Sequence, residues 1–202
     1  MTLRRSLALL LLSLIALAAS VFSYRTAAPS DRAAASGRSA AGARPDPLEV
    51  GPSDWLAIPA PDEPFMTLEG RAARLSDYRG QVVLLNFWGT WCPPCRVEIP
   101  HLVRAQEKLE ALGATIIAPA VGSGRPEEIL AFAVEAGINY PIWIVSDAVA
   151  VGRFGAPGYP FTMLIGPDGV IRRTYIGPQT EEILLRDAEM LLSGEDAPAA
   201  AG

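Results

Sequence analysis

Cysteine is scarce in this chain: 202 residues hold two, at positions 92 and 95, and one histidine, at 101. Two cysteines so close together cannot staple distant parts of a fold, and a secreted disulfide scaffold would carry more of them, spread out. Tetrahedral zinc takes about four N or S ligands, and there is no third cysteine to complete a set. The pair is therefore a local dithiol. Clustered positive charge is lacking too. The formal net charge is −5, with six Arg and three acids in residues 1–50, so residues 51–202 hold 11 basic and 19 acidic side chains. An acidic folded part without a Lys/Arg cluster speaks against nucleic acid as a partner, because phosphate binding needs concentrated positive charge.

What is abundant near the start is apolar. After Arg4-Arg5 comes a run from Leu7 to Phe22, broken only by Ser13 and Ser20. Its 16 residues fall between a signal-peptide core, about 7–15, and a membrane span, about 17–25. Residues 1–24 are expected to be a signal peptide or, extended through Tyr24, an N-terminal membrane anchor, with the positive start on the cytoplasmic side and the remainder outside. No cysteine follows the run to carry a lipid, and the residues around Arg4-Arg5 match a twin-arginine signal poorly. Residues 25–52, rich in Ala, Ser, Arg, Pro and Gly without apolar periodicity, read as a flexible linker. The folded domain is expected over 53–193 and a disordered tail over 194–202. No internal repeat is visible.

Within the domain, 65–68 and 72–75 flank Glu69-Gly70 as a β-hairpin, followed by a short turn ending at Gly80. Residues 81–88 include Val-Val-Leu-Leu-Asn-Phe-Trp, the apolar run of a strand buried on both faces. A helix is expected from Cys92 to about Leu112, stopped by Gly113. A strand over 115–121 and a helix opening at Pro126-Glu127-Glu128 follow. A short strand at 142–145 leads to a helical turn near 148–154. Residues 161–165 and 170–175 bracket Pro167-Asp168-Gly169 as a second hairpin, and a helix over 180–192, capped by Thr180, closes the domain. This order predicts an α/β fold with one central mixed β-sheet, helices on both faces and an N-terminal β-hairpin extension.

A Cys-x-x-Cys at the opening of a helix, directly after a buried strand, has a chemical meaning. Helix N-termini carry unpaired N–H groups and partial positive charge, both of which stabilise a thiolate. Cys92 is expected to face solvent and attack a partner's disulfide, with the more buried Cys95 resolving the mixed disulfide. Pro93 and Pro94 stiffen the link. Trp91 is expected to shape the surface beside Cys92, and Trp88 the core beneath it. Glu98, three residues past Cys95, lies about 4.5 Å along the helix axis; a carboxylate there would raise a thiol's pKa and relay its proton, or else be a solvated surface charge. Pro100 is expected to kink the helix, and His101 to be a surface residue.

The segment Asn86-Phe87-Trp88-Gly89-Thr90-Trp91-Cys92-Pro93-Pro94-Cys95-Arg96-Val97-Glu98-Ile99-Pro100 resembles the active-site segment of TlpA-like and ResA-like thiol–disulfide oxidoreductases of the thioredoxin superfamily. The resemblance runs from about Pro61 to Leu192, through Leu75-Ser76-Asp77-Tyr78-Arg79-Gly80 and Gly158-Tyr159-Pro160-Phe161-Thr162-Met163-Leu164-Ile165. It implies a thioredoxin-like fold facing the exterior of the cytoplasmic membrane. It also implies that Cys92, Cys95, Glu98 and Pro160 form the catalytic set, with Pro160 a cis proline opposite the dithiol. Trp91, Pro93, Pro94 and the backbone of Tyr159 would meet the substrate, Tyr159 by strand-like pairing.

The implied activity is reduction of disulfides in client proteins, in apocytochrome c or copper-site maturation, with electrons from a membrane thiol reductant. No cofactor is implied beyond the redox-active Cys92–Cys95 disulfide. Two alternatives remain: a periplasmic dithiol oxidase or isomerase, and a Cu(I) delivery module in which the thiols act with His101 or with Met66 or Met163, since soft thiolates suit Cu(I).

Overall fold

The structure is a computed structural model and describes residues 55–194. The expected leader over 1–24, the linker over 25–52 and the tail beyond Gly194 lie outside the described residues. Among the described residues, no helix is long and apolar enough to cross a membrane.

Chain order is β1 (Ile58–Pro59), β2 (Phe65–Thr67), β3 (Ala72–Ala73), a 3-10 turn (Leu75–Tyr78), β4 (Val82–Phe87), α1 (Pro93–Leu112), β5 (Ala114–Val121), α2 (Pro126–Glu135), β6 (Ile142–Val145), α3 (Asp147–Gly152), β7 (Phe161–Ile165), β8 (Val170–Ile176) and α4 (Glu181–Ser193). The strands form one mixed sheet in the order β1-β8-β7-β4-β5-β6-β2-β3. β4, β5 and β6 run parallel, as strands joined by helical crossovers must when they lie side by side. The remaining pairs are antiparallel.

Alternation along β4 assigns its side chains to two cores. Val82, Leu84 and Trp88 join Ile99, Leu102 and Leu109 of α1, Ile129 of α2 and Leu184 of α4. Val83, Leu85 and Phe87 face the other way, towards Leu75, Ala150, Phe154 and Met163. Each fully buried Leu, Ile or Phe contributes about 1.5–3 kcal/mol relative to exposure, so the two faces hold the sheet from both sides. The same period of two turns Asn86, the one polar residue of β4, towards α1.

Helix α1 follows from its ends. Pro93 and Pro94 occupy the first turn, where a missing N–H costs nothing and the fixed φ suits the helix. Gly113 stops it at φ 84°, a left-handed conformation that favours glycine. The helix is continuous through Pro100, whose ring leaves the Arg96 carbonyl without the usual fourth-residue donor.

Four features differ from the sequence expectation. β1 pairs with the outer edge of β8 through Ile58↔Ile171 and Pro59↔Val170, and two residues are too few for a periodic signal. The first hairpin is shorter than 65–68 and 72–75, because Leu75 turns inward to start the 3-10 turn, and β2 continues onto β6. Thr180 stands at the N-cap of α4 but makes no side-chain capping bond. The neighbouring Glu181 instead ties α4 to α1, accepting from Arg104 Nε at 2.8 Å and Lys108 Nζ at 2.7 Å.

Candidate active site

The dithiol sits where β4 hands over to α1. Trp88 prolongs β4 by a single bridge to Ala120, its N–H donating to the Pro119 carbonyl and its carbonyl accepting from Val121 N. Its indole donates to the Ala118 carbonyl, which fixes the floor under the turn. Cys92 is the N-cap of α1 and is disulfide-bonded to Cys95. The Cys95 backbone N–H points at Cys92 Sγ, 3.3 Å away. The Cys92 sulfur thus lies at the N-terminus of α1, where unpaired N–H groups and partial positive charge gather.

Cys92 does not face solvent as expected. Its exposure is 2%, against 1% for Cys95. A capping side chain points back along the helix axis rather than outwards, and this one is also bonded to Cys95. The exposed surface beside the dithiol is made by Trp91, Pro93 and Pro94.

Glu98 is wholly buried, which removes the solvated-charge reading. Its two oxygens are both occupied: Oε2 accepts from Asn86 Nδ2 at 3.0 Å, and Oε1 from the Gln179 backbone N–H at 2.9 Å. The second Asn86 N–H goes to Thr162 Oγ1 at 2.8 Å. One carboxylate thereby ties together α1, the strand before the dithiol and the loop between β8 and α4. Burial pushes its pKa up to about 7 against the opposing pull of the two N–H donors. Tyr140 packs in the same core as Cys95 and Ile99; burial, with a smaller contribution from the Glu98 charge, pushes its phenol up as well.

Tyr159-Pro160 is a cis peptide bond, as the resemblance implied. Pro160 and Phe161 are buried as the chain enters β7, and Pro160 O accepts from Gly177 N at 2.9 Å. β7 lies directly against β4, with Thr162 paired to Asn86. Tyr159 is half-buried and its ring stands edge-on to that of Trp91, with centroids 5.9 Å apart. The loop bearing Pro160 and the loop bearing the dithiol thus meet through two aromatic rings.

Sequence reasoning missed Gln179 and gave no role to Asn86 and Thr162. A signal existed for Asn86: a polar residue inside an otherwise apolar buried strand must find a partner. Gln179 acts through its backbone, and nothing in its identity announces that. His101 is half-buried, its Nδ1 accepting from Arg104 Nη2 at 2.9 Å. Met163 belongs to the core on the opposite side of the sheet. Among the described residues no three His, Cys, Asp or Glu side chains stand close enough to hold a metal, so His101 does not join Cys92 and Cys95 in a ligand set.

Residues 57–174 match the AhpC/TSA family. The thiol-disulfide oxidoreductase ResA of Geobacillus thermodenitrificans is 36% identical over 133 residues, which cover 65% of this chain and 75% of that protein. ResA of Bacillus subtilis is 31% identical over 137 residues, covering 66% and 76%. A thiol:disulfide interchange protein of the thioredoxin family from Chlorobium tepidum TLS superposes with a TM-score of 0.60 at 27% identity, over 68% of this chain and 97% of its own. A secreted thiol-disulfide isomerase from Corynebacterium glutamicum gives a TM-score of 0.62 at 27% identity, over 66% and 85%.

Proposed function

Since the chain belongs to the AhpC/TSA family and is a thioredoxin-fold thiol–disulfide oxidoreductase of the ResA type, we propose that it works outside the cytoplasm as a reductant of client-protein disulfides. Cys92 and Cys95 are its catalytic pair. The observation that carries this reading is the dithiol at the N-cap of α1, with the Cys95 N–H aimed at Cys92 Sγ and a buried carboxyl one turn further on.

The chemistry balances on these residues. The Cys92 thiolate attacks one sulfur of a client disulfide, forming a mixed disulfide and releasing the other client sulfur as a thiolate. Cys95 gives up its proton, attacks Cys92 Sγ and releases the second client thiolate. Two electrons have then passed to the client, and the Cys92–Cys95 disulfide described here is the product state. Glu98 takes the Cys95 proton and returns it to the leaving sulfur, a task suited to a carboxyl whose pKa lies near neutrality. Pro160 and the Tyr159 backbone form the edge along which the client lies, and Trp91, Pro93 and Pro94 the surface around the reacting sulfur.

The apolar segment Leu7–Phe22 supports export and a tether to the cytoplasmic membrane, within reach of a membrane thiol reductant that re-reduces the dithiol. The Corynebacterium relative is described as secreted, which favours the same side of the membrane. The resemblance to TlpA-like and ResA-like proteins favours apocytochrome c or copper-site proteins as clients. That relative is also described as an isomerase, so an oxidase or isomerase role is the second reading. The reduction potential separates them. Equilibration with glutathione or dithiothreitol should return about −270 mV or lower, the range of thioredoxin-like reductants. A value near about −120 mV, that of a strong oxidant, would overturn the reductant assignment.

A further inference from the structure

Trp91 is more than half exposed, at 56%, yet it is not free to move. Its indole N–H donates to the Val121 carbonyl at 3.0 Å, turning the polar edge of the ring into the protein and leaving the apolar remainder outside. The ring lies so close over Gly89 that a Cβ there would stand 2.7 Å from Cε2 and Nε1. Tyr159 closes the other side edge-on, at 84° between planes. Tyr159 is itself held at its far end, where its hydroxyl donates to Asp147 Oδ1 at 2.7 Å. Asp147 opens α3, whose first turn is capped by Ser146 Oγ accepting from Val149 N, so the carboxylate is presented by a regular element. Pro93, Pro94 and Val97, all exposed, continue the apolar surface along α1.

We propose that Asp147 is a positioning residue for client recognition: by holding the Tyr159 hydroxyl it fixes the Trp91–Tyr159 pair as a preformed apolar ledge that seats an apolar side chain flanking a client's disulfide. This rests on the disulfide-exchange reading above and deepens it. Rigid aromatic side chains supply contact area at low entropic cost, and a ledge already ordered before binding spends none of the client's contact energy on ordering. An exposed indole pinned at its N–H and abutted by a second ring fits that use. An ordinary surface tryptophan would have no need of the Val121 and Asp147 anchors.

The test uses reduced protein and two synthetic peptides, each closed by one intramolecular disulfide, one flanked by Phe and Leu and the other by Gly and Ser. The second-order rate of reduction is measured for each. The parent protein should prefer the Phe/Leu peptide by about five-fold, the worth of one modest contact. Asp147→Ala should lose most of that preference while reducing the Gly/Ser peptide at the parent rate. Asp147→Asn, whose amide oxygen still accepts from the hydroxyl, should retain the preference. Tyr159→Phe removes the same hydrogen bond from the other side and should lose the preference equally, and the D147A/Y159F double variant should show no further loss. A parent without preference, an Asp147→Ala variant that keeps it, or one that slows both peptides alike would overturn the proposal. A parent inert towards both peptides would overturn the exchange reading, and this inference with it.

Discussion

Replacing Glu98 with Gln should flatten the pH dependence of stability across the neutral range. The carboxyl ionises at about 7 in the folded protein against an ordinary 4.5, and burial is the first cause. Below pH 4.5 it is protonated in both states, and its burial carries no charge penalty. Between pH 4.5 and about 7 the unfolded chain has released the proton while the folded protein keeps it. The unfolded state then binds fewer protons, so stability falls as pH rises and levels off above about 7. At about 1.4 kcal/mol per pH unit, that gap amounts to about 3 kcal/mol. Gln is neutral throughout and lacks this slope. Its single carbonyl satisfies only one of the donors Gln179 N and Asn86 Nδ2, and its own amide meets the other as donor against donor, costing about 1–3 kcal/mol at every pH. The variant should therefore be the less stable protein at pH 5 and gain on the parent by about 3 kcal/mol towards pH 8. Urea unfolding of the oxidised proteins at pH 5, 6, 7 and 8 measures this, and titrations elsewhere cancel in the difference. A difference that stays constant within about 1 kcal/mol over that range would refute the argument.

Two further outcomes follow from the same geometry. Cys95→Ser leaves intact the backbone N–H that faces Cys92 Sγ, so it should accumulate a mixed disulfide with a client peptide. Cys92→Ser should form none, as read by mass spectrometry without reductant; trapping by the Cys92→Ser variant instead would reverse the assigned roles. Asp187 is fully buried and accepts from Arg173 Nη1, Tyr175 Oη and Arg186 Nε at 2.6–2.8 Å. Asp187→Ala leaves the buried Arg173 against Trp55 without its carboxylate and should lower unfolding free energy by about 3–5 kcal/mol. A loss under about 1 kcal/mol in denaturant titration would show that the pair is not holding α4 to the sheet.

Much of the architecture was legible because its causes are local. The continuous apolar run of β4, the prolines opening α1, the glycine ending it and the Pro167-Asp168-Gly169 turn each act within a few residues, and each lies where the patterns place it. β1 was not legible, since two residues show no alternation and gain their strand character only from pairing with β8. Cys92 was placed correctly along the chain and wrongly with respect to solvent. Its burial follows from the direction of a capping side chain and from the disulfide, which an expectation of an outward-facing nucleophile passes over.

The site divides along the same line. The half that reacts is built from consecutive residues, with Cys92, the two prolines and the Cys95 N–H all within one helical turn, so a short motif is enough to read it. The half proposed to set protonation and recognition is assembled from segments 68 to 81 positions away: Gln179 N and Thr162 Oγ1 around the Glu98–Asn86 pair, Tyr159 against Trp91. The Gln179 contribution comes through a backbone N–H, which nearly any residue type could supply, so residue identity there carries little of the information. Substitutions at Asn86, Asp147 or around Gln179 should therefore move proton handling and client choice while leaving the dithiol in place.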